Sequence, residues 1–341
     1  MLYTIKYSWI KIFFKKGFYL MIKKIEVEAF LKSMGMGVSR PALVRGDDFK
    51  EYILKNEKVD NNGNIKNLNC MFLNEMLAYQ IGKYLDVPMP DAAIAYVHQT
   101  FVDEDPSIRF AYRFEKGNYF ASQKLEDIEN NLMENMNELI KMGKNYANRT
   151  WNSFFKQIDN KDKIVNIIAF DILIANFDRY GNEGNVLVSG YNNKRNIFAI
   201  DHGHAFYGPE MTQEKLFNMQ TLFGHDKYPL LFANIIKSEN GRIFRSLCQH
   251  IDLTEPSKNP FSEVVQKIEN ISEELIDEWL NNIPIEWYID KKVQVEYYKN
   301  FIRLQKQYVR DIIQTMAYIE LFDNYLGGVL TWKIEEKLNT V

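Results

Sequence analysis

Cysteine and histidine are scarce here: two cysteines, Cys70 and Cys248, and five histidines stand among 341 residues. The cysteines lie far apart, in no CxxC or Cys/His ligand spacing, which excludes a disulfide framework and a structural zinc site and fits a reducing cytosol. They read as small buried hydrophobes. A strong charge of either sign is also missing. With a formal net charge of −3 and a pI near 6.1, the surface is not built to neutralise many phosphates, and no direct nucleic-acid binding is expected. Long apolar runs are lacking as well. Lys11, Lys15 and Lys16 interrupt the stretch around Trp9 to Phe14, which is too short for a membrane span and leads to no small-residue cleavage site. A cytoplasmic protein without a membrane anchor is the expectation, and residues 1–20 read as an extension ahead of a working protein that starts near Met21.

What is present is an ordinary globular composition, 46% hydrophobic and 26% charged, so the chain is expected to fold without a partner. Its length exceeds what one hydrophobic core usually organises, which predicts two lobes with a cleft between them. Ile22 to Lys32 reads as a short strand or helix, followed by a glycine turn at Met34 to Pro41. Ala42 to Arg45 and Glu51 to Leu54 read as a hairpin ending at Lys55, and the polar stretch Asp60 to Asn64 as a loop. Phe72, Met76, Ile81 and Leu85 recur at helical spacing, which predicts an amphipathic helix over 68–85 that Pro88 and Pro90 stop. Ala92 to Val97 and Tyr119 to Ala121 are strand candidates.

Beyond Leu125 the pattern turns helical: 128–143, a nearly all-apolar helix over 163–176, then 261–281 and 291–324, with short strands at 186–188 and 197–200. The fold class expected is α+β. A β-rich part with one key helix spans 21–124, a larger mainly helical part 125–325, and a mixed tail 326–341.

Four polar signals occur in a fixed order. Tyr52-Ile-Leu-Lys55 ends a strand in a lysine that, in a cleft, can hold nucleotide phosphates as a compact point charge. Glu75 sits among apolar helix residues, where a carboxylate can pair with Lys55 and fix its position. Asn176-Phe-Asp-Arg-Tyr-Gly-Asn-Glu-Gly-Asn185 follows the apolar helix. There Asp178 can orient the proton of an attacking hydroxyl, while Asn185 offers a neutral carbonyl oxygen to Mg²⁺. Asn196 to Asp201 then delivers an acid at a strand end, before His202-Gly203, as a second ligand for such an ion. Lysine, helix glutamate, Asp…Asn loop and Asp-X-Gly is the order of parts a kinase needs. Asp171, inside the apolar helix, needs a partner to offset desolvation, and Arg179 is the candidate.

On these motifs the chain resembles the HipA-like kinase family, relatives of protein kinases and phosphatidylinositol kinases. The likeness runs through Arg45 to Pro90, Phe120 to Gln123, Ile174 to Phe206 and Ile283 to Ile312. It is carried most specifically by Tyr52 to Lys55, Asn74-Glu75, Asn176 to Arg179 with Asn185, and Ile200 to Gly203. The resemblance implies a two-lobed kinase-like fold and transfer of the γ-phosphoryl of ATP, with Mg²⁺, to a Ser/Thr hydroxyl of an unidentified protein. It implies phosphate contact by Lys55 paired with Glu75, a catalytic Asp178, and metal ligation by Asn185 and Asp201. It places Phe120 to Gln123 at the adenine, with Ala121, Ser122 and Gln123 contacting it mostly through backbone atoms. Some relatives are toxins paired with DNA-binding antitoxins, so an antitoxin-like partner protein is open.

Two departures accompany the likeness. Many kinases place the metal-binding Asn five residues after the catalytic Asp, whereas this loop offers Asn182 at four and Asn185 at seven. The stretch Gly35-Met-Gly37-Val-Ser39 is not a full GxGxxG; Gly37 and Ser39 are candidates to cover the phosphates, and an ordinary turn fits equally. Two other readings compete. One is a metallohydrolase built on Asp201, His202 and His204. The other is a catalytically inactive kinase fold that binds a nucleotide or a protein.

Overall fold

The computed structural model describes residues 20–34, 40–61, 64–110, 112–129, 141–143, 147–190, 193–221, 223–224, 226–239 and 241–333. Gly37 and Ser39, most of the 1–20 extension, the centre of the helix expected over 128–143, and residues 334–341 lie outside the described residues.

Strands β1 (Lys23–Ser33), β2 (Ala42–Gly46) and β3 (Glu51–Leu54) are followed by a small hairpin, β4 (Lys58–Asn61) and β5 (Asn64–Asn67). The stretch expected as a loop at 60–64 is therefore the tip of that hairpin, with Asp60 paired to Ile65 and Asn61 to Asn64. Next come helix α1 (Met71–Tyr84), β6 (Ala92–Val97), the short helices α2 (Gln99–Glu104) and α3 (Pro106–Phe110), and β7 (Gly117–Gln123). Five of these strands close a barrel in the order β1-β2-β3-β7-β6. Alternation explains the closure: Ile25, Val27, Val44, Tyr52, Leu54, Ala93, Ala95 and Ala121 turn inward to a small apolar core.

The remainder is mainly helical: α4 (Ala147–Lys156), α5 (Ile164–Leu173), a single turn α6 (Asp178–Gly181), the ribbon β8 (Val186–Ser189) and β9 (Asn196–Ala199), then α7 (Gln213–Thr221), α8 (Tyr228–Ser238), α9 (Arg242–Cys248), α10 (Ser262–Glu269), α11 (Glu273–Asn281) and α12 (Lys291–Tyr318). The helix expected over 261–281 is two helices, because Ser272 caps a fresh start by accepting from the Leu275 N–H. Part of the expected tail is packed: Leu330 is buried and Thr331 donates to Pro256 O at 2.9 Å. Among the described residues no helix is long and apolar enough to cross a membrane.

Helix α1 departs from the amphipathic expectation. Met71 to Gly82 are buried throughout, and the helix shares the large core of α5 and α12 rather than the barrel's. Its polar residues are tied to that side. Gln80 Nε2 donates to Trp279 O at 2.9 Å, and Asn166 Nδ2 to Leu85 O at 2.8 Å, just past the helix end. From the middle of α12, Gln305 donates to Ile172 O at 2.8 Å, adding a donor to a carbonyl in the last turn of α5, where the intrahelical ladder runs out. The loop that follows α5 thus starts from a fixed point.

Candidate active site

Lys55 follows β3, and its backbone N–H donates to Phe120 O of β7 at 3.0 Å. Tyr52 and Leu54 fill the barrel, so strand alternation turns Lys55 out of it toward α1. There its ammonium is hydrogen-bonded to Glu75 Oε1 and lies 2.9 Å from Asp201 Oδ1. Burial alone would favour the neutral amine. The charges of Asp201 and Glu75 outweigh it and raise the Lys55 pKa. Burial likewise works against the Glu75 carboxylate, but the Lys55 ammonium and then His202 hold it ionised, below the usual carboxylate range. The sequence-inferred trio of Lys55, Glu75 and Asp201 is therefore one ion-paired cluster.

Asp201 leaves β9 with a left-handed φ of 58°, a conformation that the fold must impose on a non-glycine residue and that recurs at functional sites. Gly203 then brings the chain against α1, where a Cβ would stand 2.5 Å from Met71 Cγ. Its N–H donates to Glu75 Oε1 at 3.1 Å. His202 turns inward: Nδ1 is 3.5 Å from Glu75 Oε2 and the ring lies 5.4 Å from Phe170. Burial lowers its pKa. Among the described residues no three His, Cys, Asp or Glu side chains are arranged to hold a metal ion, and His202 serves Glu75 rather than the metallohydrolase arrangement.

The second cluster forms on the loop after α5. Arg179 is buried and its Nε donates to Asp171 Oδ2 at 2.7 Å, the pairing expected from sequence. Burial raises the Asp171 pKa, and Arg179 offsets part of that. Arg179 Nη1 also donates to Asn185 O and, at 2.8 Å, to Ile200 O. One guanidinium thereby clasps the end of the β8–β9 ribbon, whose register pairs Val186 with Ala199. Asn185 and Asp201 consequently leave the ribbon at the same end. Asn185 Nδ2 donates to Asp178 Oδ2 at 2.5 Å, which commits the amide nitrogen of Asn185 to the Asp178 carboxylate. Asn182 is spent differently, its Oδ1 accepting from the Gly184 N–H at 3.0 Å to cap a turn.

Ala121, Ser122 and Gln123 lie within the sheet. All three are paired to β3, and Ala121 and Ser122 also to β6, while the Gln123 N–H donates to Asp91 O at 2.7 Å. The sheet has claimed both sides of this segment, and the chain leaves it only from Lys124, reaching Glu129, which donates to Val188 O of β8. Two residues with no assigned role in the sequence reading also belong to the site's support. Asn74 and Lys215 are fully buried beside the loop that follows Asp201. A lone polar residue next to Glu75 in an apolar helix was a readable signal for Asn74; nothing in the polar run Thr212 to Lys215 marks the lysine.

Solved structures to which the chain is similar include the proinflammatory kinase CtkA of Helicobacter pylori (15% identity, covering 89% of this chain and 100% of that one, TM-score 0.48). They also include a Golgi casein kinase (10% identity, 91% and 74% covered, TM-score 0.40) and the Golgi casein kinase with Mn/ADP bound (11% identity, 92% and 77% covered, TM-score 0.39). No curated protein matches the chain. A family model described as HipA-like kinase matches residues 27–252, and the chain belongs to that family of kinase-fold phosphotransferases.

Proposed function

We propose that the chain transfers the γ-phosphoryl of ATP to a hydroxyl acceptor, a Ser or Thr of a protein, with Mg²⁺ as cofactor. The observation that carries this reading is the joint placement of an ammonium–carboxylate cluster and an acid–amide pair. Lys55, Glu75 and Asp201 are ion-paired, and Asp178 is hydrogen-bonded to Asn185, which leaves the β8–β9 ribbon beside Asp201. The donor set suits a small hard cation: Asp201 and Asn185 both present oxygen, and the Asp201 side chain is 44% exposed, open to solvent and phosphate. When bound, Mg²⁺ supplies charge neutralisation for the phosphates.

The chain's own residues do the rest. Lys55, held by Glu75, fixes the triphosphate. Asp178 accepts the hydrogen bond of the acceptor hydroxyl and takes its proton as the oxygen bonds to the γ-phosphorus and the bond to the β,γ-bridging oxygen breaks, releasing ADP. We assign the base contact to the chain leaving β7 at Gln123, with Ala121 and Ser122 lining it, and treat 21–124 and 125–325 as the two lobes around the cleft.

Thermal unfolding with Mg·ATP, with ATP plus chelator and with no ligand tests the reading. Ligand at 100 times its Kd stabilises by about 2.7 kcal/mol, a rise of a few degrees. That rise is expected in wild type, lost in Asp201→Ala, and kept in Asp178→Ala, which should bind Mg·ATP yet transfer no labelled phosphate. Full-rate transfer by Asp178→Ala would remove that residue from its role, and no rise in wild type would favour a kinase fold used for binding alone.

A further inference from the structure

Helix α1 offers two neighbouring side chains to one loop. Glu75 takes its start, as described above. Asn74 takes the next six residues: its Nδ2 lies 2.7 Å from Gly203 O, 3.0 Å from Ala205 O and 3.0 Å from Gly208 O. Three carbonyls converge on one amide because the chain turns back on itself with positive φ at Phe206 (56°), Tyr207 (62°) and Gly208 (120°). The other face of the amide is equally committed. Asn74 Oδ1 accepts from Tyr298 OH at 2.6 Å and faces the Lys215 ammonium at 3.4 Å, while Lys215 also donates to Gly208 O at 2.6 Å.

The orientation of the amide follows from its surroundings. Carbonyls only accept and an ammonium only donates, so flipping the group would oppose like with like on both sides. Beyond Gly208 the loop stays docked: the Cys70 N–H donates to Pro209 O at 2.8 Å and the Met211 N–H to Asn69 Oδ1 at 2.9 Å. The segment leading from Asp201 to α7 is thus hydrogen-bonded along its length to α1 and to the two residues that precede it.

We infer that Asn74 is a positioning residue, which with Tyr298 and Lys215 clamps loop 203–208 onto α1 and so sets Asp201 for metal binding. The inference rests on the kinase reading for its second half only; the clamp itself is a property of the ligand-free chain. Removing the amide takes a donor from the buried Gly203 and Ala205 carbonyls, while Gly208 O keeps Lys215, and the loop should open locally while α12 and the barrel hold.

Amide hydrogen exchange on peptides covering 201–209, joined to a Mg²⁺ titration of the ATP-dependent thermal shift, tests this in wild type, Asn74→Ala and Tyr298→Phe. Asn74→Ala should speed exchange across 203–208 by about tenfold or more, with α12 unchanged. It should raise the Mg²⁺ needed for half-maximal stabilisation by about tenfold, excess Mg²⁺ restoring the shift, while ATP binding in chelator stays within about threefold. Tyr298→Phe keeps the ring 5.1 Å from Phe206 and withdraws only the hydroxyl; it should show the same pattern at about threefold. It carries the test if Asn74→Ala does not fold. Wild-type exchange at 203–208 in a folded variant, or exchange accelerated equally everywhere, overturns the clamp. Faster loop exchange with an unchanged Mg²⁺ requirement overturns its link to Asp201. A wild type without any Mg²⁺-dependent shift would fail the kinase reading, and the exchange arm would still decide the clamp.

Discussion

Two lysines reach the loop after Asp201 through neighbouring residues of α1, Lys55 through Glu75 and Lys215 through Asn74. Lys215 is fully buried and Lys55 largely so, yet their proton affinities move apart. Lys55 is met by two carboxylates, and its pKa rises despite burial. Lys215 is met by carbonyl and amide oxygens, the Tyr298 ring at 5.1 Å and the Cys70 thiol; burial dominates and its pKa falls to about 8. The charge on the first side is held in place by the fold, whereas on the second the fold works against it. A buried charge therefore stabilises the site only where its counter-charge is buried with it.

The largest expected effect comes from breaking a paired charge. Asp171→Ala would strand the Arg179 guanidinium, which also holds Asn185 O and Ile200 O. Urea unfolding should show a loss of about 3–5 kcal/mol, the usual cost of leaving one member of a buried pair alone. A loss below about 1 kcal/mol would mean that water reaches the pair.

The unpaired side should behave in the opposite sense and reveal itself through pH. With its folded pKa near 8 against an ordinary 10.5, Lys215 is protonated in both states below pH 8, where the fold bears the full cost of its burial. Between pH 8 and 10.5 the unfolded chain keeps a proton that the folded chain has released, so stability rises with pH. The gain amounts to about 2–3 kcal/mol. Lys215→Met should lack this rise, read as the change in its urea-unfolding difference from wild type between pH 7.5 and 10. An unchanging difference would place the amine in contact with solvent or with an anion.

How far this was legible follows the same division. The charged parts were readable because phosphoryl-transfer chemistry dictates residue type and order, so Lys55, Glu75, Asp178, Asn185 and Asp201 stood out, as did the need of Asp171 for Arg179. The uncharged support was not. Lys215 lies in a polar run that reads as a solvated helix face, and only three-dimensional packing turns it inward. α1 looked half-exposed because Glu75, Asn74 and Gln80 interrupt its apolar positions, although each is buried against a specific partner. Tyr119 to Ala121 have the apolar character of a strand, and nothing local says that the pairing continues through Ser122 and Gln123 or whether one or both edges are paired. No sequence signal marks the helices α7, α8 and α9, since their short apolar stretches gain their meaning from α12, on which α7 and α8 pack, and from α4, on which α9 packs.

A third buried charge sharpens the comparison with the sign reversed. Glu57 lies before α1 and accepts the Phe72 N–H at 3.2 Å, a position where the helix end favours an anion. No cation accompanies it among the described residues, and burial raises its pKa to about 7 from 4.5. Below pH 4.5 the group is protonated in both states. Between 4.5 and 7 the unfolded chain has released its proton while the folded chain retains it, so stability falls as pH rises through that window. The side chain is only half-buried, which limits the effect to about 1 kcal/mol. Glu57→Gln keeps an acceptor for Phe72 and should remove this fall, measured by urea unfolding at pH 5 and pH 7.5. If wild type and variant track one another across that range, α1's N–H groups hold the carboxylate ionised, and the rule drawn from Lys55 and Lys215 must then count a helix end as a counter-charge.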